Sequence, residues 1–251
     1  MKRLAFILAA LALAACGPRP VQYKLATFNV HHFQPVSSED RAYDVAGEML
    51  RILDPDVVAL QELDSCNTRS PEFQAEEIAG KCGLEYLYHR TIPFGGGSYG
   101  IGMLYRPSLG LVRSEFLPLP GEEPRGALVA EFNRFVYVCT HFCFQSVENR
   151  SRSLAILESW LAERYNDTGK PVFLAGDLNA TDILDNAPSW ASCSTDDPTF
   201  MHSDGTGGRI DYILRMRSKA SDGVTLIHSM PMHGAEGLSD HLPVVSFVRI
   251  R

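Results

Sequence analysis

Several apolar runs in this chain stop at a polar side chain that would be costly to bury without a partner. LATF runs into Asn29, VVALQ into Glu62, VYVCT into His141 and VFLAG into Asp177. Asp211 interrupts a further apolar segment, IDYIL, and Ser239-Asp240-His241 comes immediately before the last one. Each alone has a plain structural explanation, since a carboxylate at a strand end often caps or turns the chain. Their recurrence in this order is harder to explain that way. Ligand sites gather at strand ends, where loops meet. Carboxylates, imidazoles and carboxamides brought together there can hold a hard cation and move protons.

Positioning these groups calls for sheets. Residues 23–30 alternate enough for a strand, and 56–60 and 171–176 are short apolar runs of the kind buried on both faces. Residues 102–105, 111–116, 127–132 and 135–140 make a β-rich stretch, with Asn133-Arg134 as the hairpin turn between the last two. Residues 210–214, 224–227 and 242–250 complete the set. Helical spacing appears over 37–53, with Ser37 or Ser38 as N-cap, and again around 71–81, closed by Gly83. A third helix covers 147–165, where Leu154, Leu157, Trp160 and Leu161 share a face. Strands outnumber helices and no linker divides the chain. One domain over residues 23–251 is expected, with sheets packed face to face and helices outside.

Thr27-Phe28-Asn29, Gln61-Glu62, Thr140-His141, Gly176-Asp177-Leu178-Asn179, Asp211-Tyr212 and Ser239-Asp240-His241-x-Pro243 resemble the ordered motif set of the endonuclease/exonuclease/phosphatase superfamily. The resemblance runs from about residue 23 to 251. It implies a four-layer α/β/β/α sandwich of two packed, mainly antiparallel sheets, and divalent-metal-dependent hydrolysis of phosphate esters. Such a reaction needs charge neutralisation, a base for the attacking water and donors for the developing oxyanion. On this reading Glu62 is the direct Mg²⁺ ligand, with Mn²⁺ or Ca²⁺ as alternatives; Asp240 shares the metal and Asn29 supports it. Asp177 orients or deprotonates the water, and Asn179 bonds the phosphate. His241 contacts a non-bridging oxygen or acts in acid–base catalysis, its tautomer fixed by Asp211. His141 is read as general acid for the leaving oxygen, with a phosphate clamp as the other role.

Arg125 resembles an arginine that small exported bacterial members carry at this point, and its fork suits a phosphate. Tyr99, in a Gly-rich segment without the Gly-Lys-Ser/Thr ending of a phosphate loop, is a second lining residue. His31 and His32 read as loop histidines within reach of the site rim.

Residues 1–16 have two basic residues, an apolar run over 4–13 and small residues ending at Cys16. The run is too short to span a bilayer. Leu13-Ala14-Ala15-Cys16 resembles the lipobox of bacterial lipoproteins, so residues 1–15 are read as a leader, Cys16 as lipidated and 16–22 as a tether. That implies export, a membrane anchor and action outside the cytoplasm. Among the remaining cysteines, Cys66 and Cys82 flank one loop and helix and form the preferred disulfide. Cys139 and Cys143, read on one strand, are too far apart to bridge.

The chain has 251 residues, 45% hydrophobic and 21% charged, with a formal charge of −7. That balance gives no basic excess for gripping a nucleic-acid backbone. A local stripe from Arg150, Arg152 and Arg164, or from Arg113 and Arg215, is possible on this sequence, but a solvated face is the simpler reading. The expected partner is a phosphate ester, either a small molecule or a lipid headgroup, handled by a monomer. A nuclease is the alternative, and a non-catalytic binding protein is weaker because every catalytic position is filled.

Overall fold

A computed structural model describes residues 19–34, 43–201 and 206–251. The leader, Cys16, the expected N-caps Ser37 and Ser38, and His202 lie outside the described residues. The chain begins with β1 (Val21–Asn29), α1 (Tyr43–Leu53), β2 (Val57–Ser65), α2 (Gln74–Cys82), β3 (Glu85–Phe94) and β4 (Gly97–Tyr105). It continues with β5 (Leu111–Leu119), β6 (Arg125–Phe132), β7 (Val136–His141), α3 (Val147–Tyr165) and β8 (Val172–Asp177). The last part contains β9 (Trp190–Ser192), β10 (Phe200–Met201), β11 (Gly207–Gly208), β12 (Asp211–Met216), β13 (Val224–Pro231) and β14 (Val244–Ile250).

Two six-stranded sheets result, ordered β13-β14-β1-β2-β4-β3 and β5-β6-β7-β8-β12-β9. In each sheet one central pair is parallel, β1 with β2 and β7 with β8, and the other pairs are antiparallel. The parallel pairs follow from the connections, since a parallel neighbour needs a crossover and the helices α1 and α3 lie in those crossovers. Leu25, Val57, Met103, Phe132, Tyr137, Phe173, Ile213 and Val248 interlock between the sheets. Outside, Ala46, Leu50 and Ile78 of α1 and α2 cover Phe28, Val58 and Leu60, while Leu154, Leu157 and Leu161 of α3 cover Val129, Val138 and Leu174. Strand alternation sends successive side chains to the inter-sheet and helix-covered layers, giving the expected α/β/β/α sandwich. Among the described residues no helix is long and apolar enough to cross a membrane.

The structure corrects three local expectations. The strand β3 was not expected; it is an edge strand with a half-exposed, mixed pattern and Pro93 near its end, which leaves little period-2 signal. The cysteines Cys66 and Cys82 are free rather than bridged, and the Cys82 thiol instead bonds Ile78 O. Cys143 lies beyond the end of β7, so it does not share a strand with Cys139.

Candidate active site

The site forms where the two parallel pairs end. Asn29 is the register partner of Gln61 in one sheet, and His141 that of Asp177 in the other. Asp211 enters from β12 as the antiparallel partner of Asp177. The two pairs meet through one carboxamide: Asn29 Nδ2 donates to Glu62 Oε1 at 3.0 Å and to Asp177 Oδ2 at 3.1 Å. The polar strand ends read from sequence are therefore neighbours across the inter-sheet seam.

Local backbone sets their aim. The β2–β4 register shifts between Leu60 and Leu63, and Glu62 within that irregularity has φ +63°. Bulges re-aim side chains, and this one turns Glu62 into the cleft. At Gly176 φ is +149°, and a Cβ would sit 1.9 Å from Thr140 O. That contact explains why Asp177 follows a glycine: its neighbour's backbone must lie against β7. Asn179, at φ +50°, gives its backbone N–H to Asp177 Oδ1 at 2.8 Å and one side-chain N–H to Phe142 O at 3.1 Å.

Two histidines face the same Asp177 oxygen, His141 Nε2 at 3.5 Å and His241 Nε2 at 3.7 Å. Their states differ. His241 Nδ1 is 2.9 Å from Asp211 Oδ2, whose position is set by the Thr199 hydroxyl at 2.7 Å. Burial disfavours the imidazolium, but the charges of Asp211, Asp177 and Asp240 outweigh it and hold the His241 pKa above its ordinary value, at about 10. His141 is pushed down to about 3, first by burial and then by Arg125. Arg125 Nη1 lies 3.4 Å from His141 Nδ1 and 2.9 Å from Glu123 Oε1. A guanidinium can only donate, so Nδ1 of His141 is the acceptor and its proton is on Nε2, facing Asp177. Burial raises the Asp177 pKa, and Asp211 adds to this, while His241 opposes it. Burial also raises the Glu62 pKa, but His32, His141 and Asn29 outweigh it and hold the carboxyl well below its usual value.

The sign of the His241 shift gives a stability prediction for metal-free protein. A raised folded-state pKa contributes stability that is fully present below about 6.5 and is lost as pH rises through about 10. With EDTA, the melting temperature should fall over this window, by roughly 2–4 °C per kcal/mol lost in a chain of this size. Asp211→Asn should flatten the fall. An equally steep profile in that variant would contradict the pairing.

Around these groups lies a cleft of about 580 Å³, within the usual small-ligand range. Glu62, Tyr99, Arg125, His141, Asp177, Asn179, Asp240 and His241 line it, as expected from sequence; Asn29 and Asp211 sit directly behind them. Burial and the Glu62 charge keep the Tyr99 phenol protonated. Glu123, Phe144, Phe200 and Ile210 also line the cleft, and sequence reasoning did not find them. Arg125 could have been tied to His141 from sequence, because Gly126 and His141 are equidistant from the Asn133-Arg134 turn and pair across it. No comparable signal marks the others.

The acidic side chains lining the cleft face a single arginine and no lysine. Asp211 Oδ1 is buried without a hydrogen-bond partner, and Asp177, Asp211 and, when deprotonated, His241 offer ligand atoms within 4.8 Å of one another. Hard oxygen donors and uncompensated negative charge fit a divalent cation.

Other solved structures share this architecture. An endonuclease/exonuclease/phosphatase from Bacteroides vulgatus superposes with a TM-score of 0.75 at 18% identity, covering 92% of this chain and 100% of that one. One from Beutenbergia cavernae gives 0.73 at 20%, covering 91% and 72%. A mannosyl-6-phosphatase of Bacteroides thetaiotaomicron gives 0.70 at 17%, covering 90% and 99%. At these identities the likeness is one of fold. Compared by sequence with curated proteins, the chain matches none. The family model for the endonuclease/exonuclease/phosphatase family matches residues 26–241, from the strand that presents Asn29 to the histidine that closes the site, and the chain belongs to that family.

Proposed function

We propose that this protein hydrolyses a phosphate ester carrying one phosphate, using a water activated by Asp177, and that it does so outside the cytoplasm. The reading rests above all on the convergence of Asn29, His141 and His241 on one Asp177 oxygen. Members of the family hydrolyse phosphate esters with a divalent metal. Glu62 and Asp240 would hold that metal, taken as Mg²⁺ with Mn²⁺ or Ca²⁺ as alternatives, and it would neutralise the phosphate and the departing oxygen when bound.

The side chains carry the rest of the reaction. Asn29 holds Glu62 and Asp177 in position from the protein side. Asp177, raised towards the pH of its task, takes a proton from water as the new O–P bond forms and the ester P–O bond breaks. His241, kept as an imidazolium by Asp211, donates from Nε2 to a non-bridging oxygen. The neutral state of His141 favours the phosphate-clamp role over the general-acid role, with Nε2–H as donor. Arg125, the free N–H of Asn179 and the protonated Tyr99 hydroxyl complete the phosphate pocket, and the departing oxygen takes its proton from solvent.

The choice of substrate follows from what surrounds the phosphate. Arg150 is bonded to the Cys143 and Phe144 carbonyls, Arg113 to Glu131, and Arg215 to the Ser221 and Val224 carbonyls; Arg164 lies over Trp160. Of the arginines in the possible stripe only Arg152 is exposed without a contact among the described residues; the others are engaged within the fold, which supports a compact ester over a nucleic-acid backbone. Phe144, 60% exposed, and Phe200 offer an apolar wall to the organic part. The leader-like segment and Cys16 support export and anchoring. The test is a panel with purified protein and Mg²⁺: bis-p-nitrophenyl phosphate, sugar and inositol phosphates, sphingomyelin, plasmid DNA and RNA. Turnover of small esters or headgroups is expected; rapid plasmid nicking without it would establish the nuclease instead.

A further inference from the structure

The end of the domain away from the cleft gathers positive charge. β1, β2, β7 and β8 run towards the cleft, so they begin at this other pole, and β12 and β14 run back to it. Arg19 precedes β1, Arg249 and Arg251 close β14, Arg217 and Lys219 lie between β12 and β13, and Arg134 sits in the turn from β6 to β7. Register ties these positions together. Ile250 pairs with both Val21 and Val224, and Arg251 N–H donates to Gly223 O at 3.2 Å. Across the inter-sheet seam Arg134 lines a hollow of about 410 Å³ together with Val21 and Gln22, and the Phe135 ring meets Tyr23 edge-on at 5.0 Å.

Five of these six cations are exposed and Arg134 is half-buried. Among the described residues none of the six forms an ion pair, whereas Arg51, Arg69, Lys81, Arg125 and Arg209 elsewhere each meet a carboxylate. Arg217 is steadied by Nε–H donation to Trp190 O at 3.1 Å. The acids of this pole are mostly neutralised: Asp54 and Asp56 meet Arg106, and Glu131 meets Arg113 and Lys170. Glu85, Asp167 and Asp222 remain exposed against the six. The cleft has the reverse balance, with Glu62, Glu123, Asp177 and Asp240 around Arg125. A chain of formal charge −7 is therefore polarised along its strands, and such a field orients a molecule before a charged surface.

We infer that this pole docks on an anionic lipid surface. Lysines and arginines near such a surface add their attraction within a Debye length, about 8 Å at physiological salt. The preceding chain favours lipid over another polyanion. Leu13, which ends the apolar run of residues 4–13, is six residues from Arg19, a reach of at most about 22 Å, and Cys16 is three residues away, at most about 11 Å. A nucleic acid held here would lie at the wrong end for the cleft. The inference does not rest on acylation of Cys16; where that occurs, the same cations face the leaflet that holds the acyl chain.

The test is sedimentation of the full chain, kept unacylated by Cys16→Ser, with vesicles of phosphatidylcholine alone or mixed with phosphatidylglycerol. At about 0.1 M salt, partitioning onto the mixed vesicles should exceed that onto the neutral ones at least about 30-fold, and the excess should vanish near 1 M, where the Debye length is about 3 Å. Arg217→Glu, Lys219→Glu and Arg251→Glu in one chain should cut the excess at least about tenfold; the matching triple glutamine variant, which keeps the test open if reversal disturbs the fold, should cut it at least about threefold. Arg51→Glu, Arg90→Glu and Arg152→Glu change the net charge equally on exposed faces of α1, β3 and α3, and should alter the excess less than about twofold. Lys2 and Arg3 are present in every variant and cancel. Equal partitioning onto both vesicles, an excess that survives the pole variants, or an equal loss in the control overturns the inference. Duplex DNA binding that the pole variants abolish, without any excess on anionic vesicles, assigns the surface to nucleic acid and overturns it as well.

Discussion

Asp177→Asn is expected to reduce turnover by about 10³-fold or more while the protein folds as before. The two side chains are nearly isosteric, so the contacts with Asn29 and Asn179 lose charge rather than shape. What disappears is the proton acceptor towards which His141 and His241 both point. General-base catalysis typically contributes 10²–10⁴-fold, and the substituted amide also sets donor against donor with Asn29. Stability should move the other way or not at all. Asp177 is buried beside Asp211, a like charge that raises its pKa, and active-site groups often reduce stability in exchange for function. Melting curves with EDTA should therefore show an unchanged or higher midpoint. Turnover within tenfold of wild type would remove Asp177 from the chemistry.

The second large effect is on metal dependence. Glu62→Gln should raise the Mg²⁺ concentration for half-maximal activity at least about 100-fold, beyond the 10–100-fold typical of residues that merely support a ligand. Glutamine keeps the length and can still meet Asn29, so the change isolates the charge. Comparison with Glu62→Gly sharpens the result. Glycine relieves the φ of +63° and removes the carboxylate, so activation by metal should be lost in a protein that is at least as stable. Metal activation curves that coincide with wild type would show that Glu62 is no ligand.

Much of this site was legible because polar residues ending apolar strands cannot be buried cheaply. Asn29, Glu62, His141 and Asp177 were visible for that reason, and a parallel pair brings strand ends of the same polarity together. The electrostatic split between the two histidines was not visible. It depends on Arg125 reaching one and Asp211 the other, and on how deeply each ring is buried. Thr199 and Phe144 come from loops and Phe200 from the two-residue strand β10, whose paths are set by tertiary packing, so no spacing announces them. The strand β3 was missed for the opposite reason: at a sheet edge with half-exposed faces, burial leaves little pattern. The Cys66–Cys82 pairing failed because adjacency along the chain says nothing about where thiols point.

The direction of β1 has a consequence for access. The strand enters at Val21 and reaches the site at Asn29, eight residues later, a run of about 26 Å at 3.3 Å per residue. Whatever precedes Arg19 thus joins the domain at the pole opposite the cleft. An acyl chain on Cys16 would leave the catalytic mouth pointing into the surrounding fluid rather than down onto the leaflet that holds it. On the proposed acylation of Cys16, esters arriving by diffusion or headgroups on a facing membrane would reach the cleft.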